Sequence, residues 1–390
     1  MNSFTWTKEE IDLIHEVREL ATTKIAQRAT YLDAIGDEIQ DWVIPELLSR
    51  RNLLAPAVPR EYGGRELSMR IHAALVEELA AGCAGAAAIV VANNYAITPI
   101  LVAGSPALKK EYLPYLTTSN PNLACSAINE TRADYNLERP ERSSEDITRI
   151  SSSVKRKEDI AIINGSKDYI VNGLAAKFIL ALVRSNISKQ KSKLQFYLIP
   201  NTAPGIEVTE VLRKAGMRSC HTVKLNFDNV EIPESNRVGG EGGGYLLLLQ
   251  TFDRNRTLLG AIGVGIAKAA YELALEVAKA NQIFNNSNSY NYYVASTLAD
   301  LSTQIDAARL AVMRAAYYID TDENYARVSI MAKLYATEVA QHVTSTAVDL
   351  IGRFGFLVGH PAEKYLRDAQ MLSMIAGSDY LHKHILTTQI

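Results

Sequence analysis

Acid–base chemistry on carbon calls for a positioned carboxylate, and two short stretches, among others in the chain, each hold one. One is Phe252-Asp253-Arg254-Asn255-Arg256, the other Met374-Ile375-Ala376-Gly377-Ser378-Asp379. A carboxylate of tuned pKa can take a proton from carbon when it lies within hydrogen-bonding reach. Asp253 shares a helical pattern with Arg256 and is expected to pair with it, and Asp379 is expected to cap the last helix. Other chemistries find less support. His382 and His384 are two apart, so they leave a helix on different sides and make a poor metal pair. Cys83, Cys125 and Cys220 are an odd number and far apart, which suggests neither a disulfide framework nor a metal cluster. No metal is expected. The Gly239–Gly244 run has no βαβ unit around it, so it reads as a flexible joint into the next helix rather than a dinucleotide loop.

The elements that must position these residues are read from periodicity. Thr7-Lys8-Glu9-Glu10 carries a capping signal, and Ile11, Ile14, Val17, Leu20 and Ala21 follow at helical spacing. Further helices are expected over about 68–82, 84–104 and 106–113. From Leu123 to Arg237 short β-rich runs alternate with turns: Ile160–Ile163, Phe178–Val183, Leu194–Ile199, Ile206–Val211 and Val223–Phe227. The helical period then returns over about 245–281, 292–320 and 326–352, with a final helix after Ser378. The chain is thus expected to be mainly α with a central β domain. Its domains are an N-terminal helical domain (1–122), a middle antiparallel, barrel-like β domain (123–237) and a C-terminal four-helix bundle (238–390). The charged, Ser-rich Glu138–Asp159 stretch reads as a solvated loop. Gly260, Gly263 and Gly265 lie in a helical pattern and are expected to allow close helix packing.

Of the 390 residues 47% are hydrophobic and the formal net charge is -2, so a sizeable core is affordable and no nucleic-acid footprint appears. No basic-then-apolar leader opens the chain, and the apolar stretch from Leu79 to Ala92 is too short to span a bilayer. A reducing, cytoplasmic setting without a membrane span is expected.

Motifs along nearly the whole chain resemble those of acyl-CoA dehydrogenases. Among them are Pro59-Arg60-Glu61-Tyr62-Gly63-Gly64, Glu77-Glu78-Leu79-Ala80, Lys109-Lys110-Glu111-Tyr112-Leu113-Pro114, Phe227-Asp228-Asn229-Val230-Glu231-Ile232-Pro233 and Arg367-Asp368 before the 374–378 turn. Arg367-Asp368 is itself expected to be a buried or semi-buried ion pair holding the last helix. The resemblance implies an FAD between the β domain and the bundle, a homotetramer or dimer, and an acyl thioester substrate on coenzyme A or an acyl carrier protein. It also places the family's catalytic Glu at one of two positions, here Ala376 and Asn255, neither of which can accept a proton. Asp253 and Asp379 are the nearest replacement bases, with Tyr95 and Tyr380 behind them. The Ala376 backbone N–H would still polarise the thioester oxygen.

By the same resemblance the FAD contacts fall on Ile128 and Asn129, on Tyr169 and Val171 of a Trp-Ile-Thr-like element, and on Gly377 and Ser378. They also fall on Asn281 in place of an Arg, Phe284, Tyr292 in place of a Gln, and Asp349 and Arg353 in a Gln-x-x-Gly-Gly-like turn. Arg353 would supply the positive charge lost at Asn281. Three functions follow: a flavoenzyme on an acyl thioester with non-standard chemistry, which is the favoured reading, a flavin-free scaffold or carrier-protein binding module, or a flavin monooxygenase on the same fold.

Overall fold

The computed structural model describes residues 6–36, 41–130, 150–188, 191–283 and 289–388. Helix α1 (Lys8–Leu20) starts at a capping box, in which Glu10 N–H donates to Thr7 Oγ1 and Thr7 N–H to the Glu10 carboxylate. It continues through a π turn over Ala21–Ile25 into α2 (Ala26–Ile35). After the short α3 (Val43–Ser49), α4 (Met69–Gly82) and α5 (Ala84–Ala103) form the buried N-terminal pair, followed by α6 (Pro106–Tyr112).

The strands are β1 (Leu123–Ala127), β2 (Ser153–Lys157), β3 (Ile160–Val171), β4 (Ala176–Ser188), β5 (Lys191–Pro200), β6 (Ile206–Val211), β7 (Thr222–Pro233) and β8 (Arg237–Val238). Their order is β6-β7-β3-β2-β4-β5-β8, with β1 also on β4. Two expectations need correction. The sheet is not wholly antiparallel, because β1 and β2 both run parallel to β4, one after the other along its edge. The stretch read as a loop from Glu138 to Asp159 contains β2, whose residues pair with β3 from Ser153↔Asn164 to Lys157↔Ile160. A charged strand with one buried residue, Val154, has no hydrophobic alternation to betray it. The earlier part of that stretch lies outside the described residues.

Strand β4 joins two cores by its two-residue period. Phe178, Leu180 and Leu182 face the helical side and pack with Ile97 of α5 and with Leu248 and Phe252. Ile179, Ala181 and Val183 face the β interior with Tyr197, Leu225 and Phe227.

The C-terminal bundle comprises α7 (Gly244–Ala280), α8 (Ser289–Asp320), α9 (Ala326–Ile351), α10 (Pro361–Leu372) and α11 (Asp379–Thr387). Helices α7 and α9 run parallel, with Gly260 against Ala332 and Gly263 against Ala336. Gly265 meets α4, where a Cβ would strike the Glu77 carbonyl and lie 2.7 Å from Ala80 Cβ. The glycines do allow close packing. Helices α5 and α7 are long and apolar enough to cross a membrane, but the apolar windows are 78% and 72% buried inside the protein. The apolar segments therefore extend further than the 79–92 stretch suggested, as core helices.

Arg367 and Asp368 do not pair with each other. Arg367 binds Asp33 of α2 (2.5 Å), Glu363 (2.6 Å) and the Ala215 carbonyl (2.5 Å). The fully buried Asp368 takes the Met217 N–H and the Lys364 ammonium, both at 2.5 Å. Adjacent helical residues point about 100° apart, so each reaches a different part of the molecule. Asp368→Ala is expected to cost about 3–5 kcal/mol, because it strands the Lys364 charge and the Met217 N–H together. A lowered urea midpoint would show it, and an unchanged midpoint would contradict this role.

Candidate active site

The turn after α10 is built from behind. Ala376 and Gly377 take left-handed φ values of 52° and 97°. The buried Lys333 of α9 donates to the carbonyls of Ser373 (3.3 Å) and Gly377 (3.0 Å). The buried His382 places Nε2 3.2 Å from the Ala376 carbonyl, which can only accept, so Nε2 is the protonated nitrogen. Burial, then the positive charges of Arg256 and Lys333, lower the His382 pKa to about 2, so the ring is neutral. Both carbonyls of the turn are therefore occupied. Among the described residues no acceptor bonds the Ala376 N–H. Ala376 and Tyr95 are partly buried and pack against both the helical core and the sheet-facing core, so they mark the seam between them.

The neighbouring carboxylates are engaged. Asp253 pairs with Arg256 at 2.6 Å, as expected from the sequence. Asp379 lies 3.3 Å from Lys333. It does not cap α11. The extended backbone belongs to Ser378 (φ -70°, ψ 159°), whose Oγ accepts from Leu381 N–H, and Asp379 is already in the first turn. Asn255 is fully buried and bound to Asn94, Thr98 and Thr251. Tyr95 meets Phe252 edge-on at 5.9 Å, whereas Tyr380 is 90% exposed.

The residues Ile128, Asn129, Tyr169 and Val171 come together where β1 ends beside β3. Lys167 Nζ donates to the Ile128 carbonyl (3.1 Å), and Asp168 N–H to the Asn129 carbonyl (2.9 Å). Tyr169 has φ 58° and is 56% exposed, and Val171 is partly buried. The buried Lys167–Glu130 pair (2.8 Å) holds this corner, and Glu130 also accepts from the N–H and hydroxyl groups of Ser151 and Ser152. Burial alone would raise the Glu130 carboxyl. Lys167 and the two serine hydroxyls outweigh it and hold the pKa at about 2, below the ordinary 4.5.

The remaining residues are not brought to this corner. Asn281 ends α7, Tyr292 opens α8 with 77% exposure, and Asp349 is exposed near the end of α9. The Arg353 guanidinium lies 5.1 Å from the centre of the Phe354 ring. Phe284 lies outside the described residues. Gly260 of α7 is level with Ala332, next to the Lys333 that holds the 376 turn. The 21 residues on to Asn281 carry the helix about 30 Å further. One chain therefore presents two separated groups. Lys333, His382, Lys167 and Asn94 were not singled out by sequence for these roles. His382 drew notice only as half of an unpromising metal pair.

Family sequence models for the acyl-CoA dehydrogenase N-terminal, middle and C-terminal domains match residues 7–120, 140–230 and 242–390. The cyclohexane-1-carbonyl-CoA dehydrogenase of Geobacter metallireducens is 28% identical over 386 residues, covering 98% of each protein. The butyryl-CoA dehydrogenase structure from Megasphaera elsdenii superposes with a TM-score of 0.88 at 24% identity, covering 99% of both chains. A prolyl acyl carrier protein oxidase superposes with a TM-score of 0.86 at 22% identity, again over 99% of both. At these identities the two structures speak to the fold. With its three domains matched, the chain belongs to the acyl-CoA dehydrogenase family. Members of that family are FAD-dependent. The β1–β3 corner fits such a cofactor, since it sets an exposed aromatic face, Tyr169, beside Asn129 and the apolar Val171.

The Glu130 carboxyl has a lowered folded-state pKa, so its contribution to stability is present above about pH 4.5 and lost as pH falls towards 2. Glu130→Gln is expected to be less stable than the parent at neutral pH. The gap between their urea midpoints should narrow as pH is lowered to about 3. A gap independent of pH would rule out the ion-pair account.

Proposed function

We propose that the protein is a flavoprotein acting on an acyl thioester, bound to coenzyme A or an acyl carrier protein, by chemistry that does not begin with the family's usual proton abstraction. The observation that carries this is the 376 turn. Its carbonyls are bound by Lys333 and His382, and its Ala376 N–H is the donor left to polarise a thioester oxygen. Of the candidate bases among the described residues, Asp253 and Asp379 are in ion pairs, and Asn255 is a neutral amide. Reduction of the acyl group needs a proton donor rather than a base at that position, whereas elimination or cyclisation through the carbon next to the carbonyl would take its base from elsewhere.

Ile128, Asn129, Tyr169 and Val171 would hold the ring end of FAD, and Gly377 and Ser378 would border it. When bound there, FAD supplies a partner for hydride transfer. The Asn281, Tyr292, Asp349 and Arg353 group, about 30 Å away along the bundle, would serve a cofactor held mainly by a second copy in a homodimer or homotetramer.

The second reading, a flavin-free carrier-binding module, draws support from that same group. It offers an exposed carboxylate, Asp349, and a neutral Asn281 where phosphates would lie. A visible spectrum separates the two. Flavin bands near one per chain are expected, and a colourless protein that cannot be reconstituted with FAD would defeat the first reading. In the flavoprotein, Ala376→Glu is expected to confer an acyl-CoA dehydrogenase activity absent from the parent, measured with an artificial electron acceptor.

A further inference from the structure

The 376 turn lies where two cores meet, and Tyr95 stands at the same seam. Among the described residues, Tyr95 and Ala376 alone keep partial exposure while packing against both the helical core and the sheet-facing core. Tyr95 reaches from α5 to α7, where it meets Phe252 edge-on, with ring centres 5.9 Å apart and planes at 70°. Phe252 belongs to the buried sheet-facing core against which Ala376 packs. The Arg256 guanidinium lies 5.7 Å from the Phe252 ring centre, and its charge acts on His382, which binds the Ala376 carbonyl. The Tyr95 hydroxyl oxygen is sealed from solvent, so the exposure that the residue keeps lies away from it. Tyr95 therefore presents ring carbon rather than an acid to this seam.

A polar lock adjoins the two rings. Asn94 Nδ2 donates to Asn255 Oδ1 (2.8 Å), and Asn255 Nδ2 to Thr98 Oγ1 (3.2 Å). Asn94 and Thr98 are one helical turn apart, so both bonds tie α5 to α7 at one level, and all three residues are at most 5% exposed. Parting the helices to admit an alkyl chain would strand these buried polar groups. We propose that Tyr95, backed by Phe252, is a specificity-determining residue that closes the space beside Ala376 and restricts the thioester to a short acyl group. This rests on the thioester reading given above. In an open apolar channel each further methylene would tighten binding about fourfold. Against a closed wall, a longer chain must stay in water or push the rings out of place.

The test is calorimetric titration of the purified protein, with whatever cofactor it retains, using butyryl-CoA and octanoyl-CoA. The parent is expected to bind butyryl-CoA about tenfold or more tightly than octanoyl-CoA. Tyr95→Ala is expected to reverse that order, tightening octanoyl-CoA about tenfold or more while butyryl-CoA stays within about threefold of the parent. Tyr95→Phe keeps the ring and is expected to keep the parent's order. A general loss of structure would instead weaken both ligands. The parent comparison stands even if Tyr95→Ala does not fold. Octanoyl-CoA binding to the parent as tightly as butyryl-CoA, or more tightly, overturns the inference and leaves the thioester reading in place. So does a folded Tyr95→Ala that keeps the parent's order. Binding of neither probe by the parent overturns both.

Discussion

The contacts of Arg367 and Asp368 are the constraint on which the rest of the molecule depends. Through them α10 is fixed to α2 by Asp33 and to the β6–β7 connection by Ala215 and Met217. Gly216 sits between those two, and a Cβ there would come within 2.5 Å of the Arg367 carbonyl. Helices from both ends of the chain and the sheet between them thus meet at one short helix, which leads directly into the 376 turn. Two formal charges alone would achieve little at a surface. Here the burial of Asp368 and the number of donors it satisfies make the joint selective for one arrangement.

Much of the fold was legible because it follows from short-range rules. The Thr7 capping box, the alternation in β4 and the small residues of α7 each state their role locally. Strand β2 was not legible, since lysines and arginines facing water carry no core signal and the strand exists only because β3 and β4 accept it. Arg367 and Asp368 drew attention correctly, but adjacency in sequence suggested a mutual pair that helix geometry forbids.

The site was legible only in part, and for a physical reason. Motifs report the residues of the turn itself, Ala376 and Gly377. The groups that set its shape come from elsewhere, with Lys333 44 positions from Gly377 and no motif announcing it. The same holds for Lys167, 37 positions from Glu130. Burial makes such supports strong, because a sealed ion pair or a neutral buried imidazole has no competing water. It also makes them silent in sequence, where a lysine or histidine more often belongs to the surface.

The support of the turn from behind has an evolutionary consequence. Its backbone is held through carbonyl oxygens, by hydrogen bonds that do not involve the side chain at 376. Unbranched residues such as Ala and Glu bear a similar modest cost for the left-handed conformation, and β-branched ones a larger one, so the backbone framework accepts a change among the unbranched ones. Position 376 behaves as an interchangeable socket. A lineage can discard or restore a reactive group at that point without rebuilding its surroundings, and chemistry can drift there while the architecture stays still.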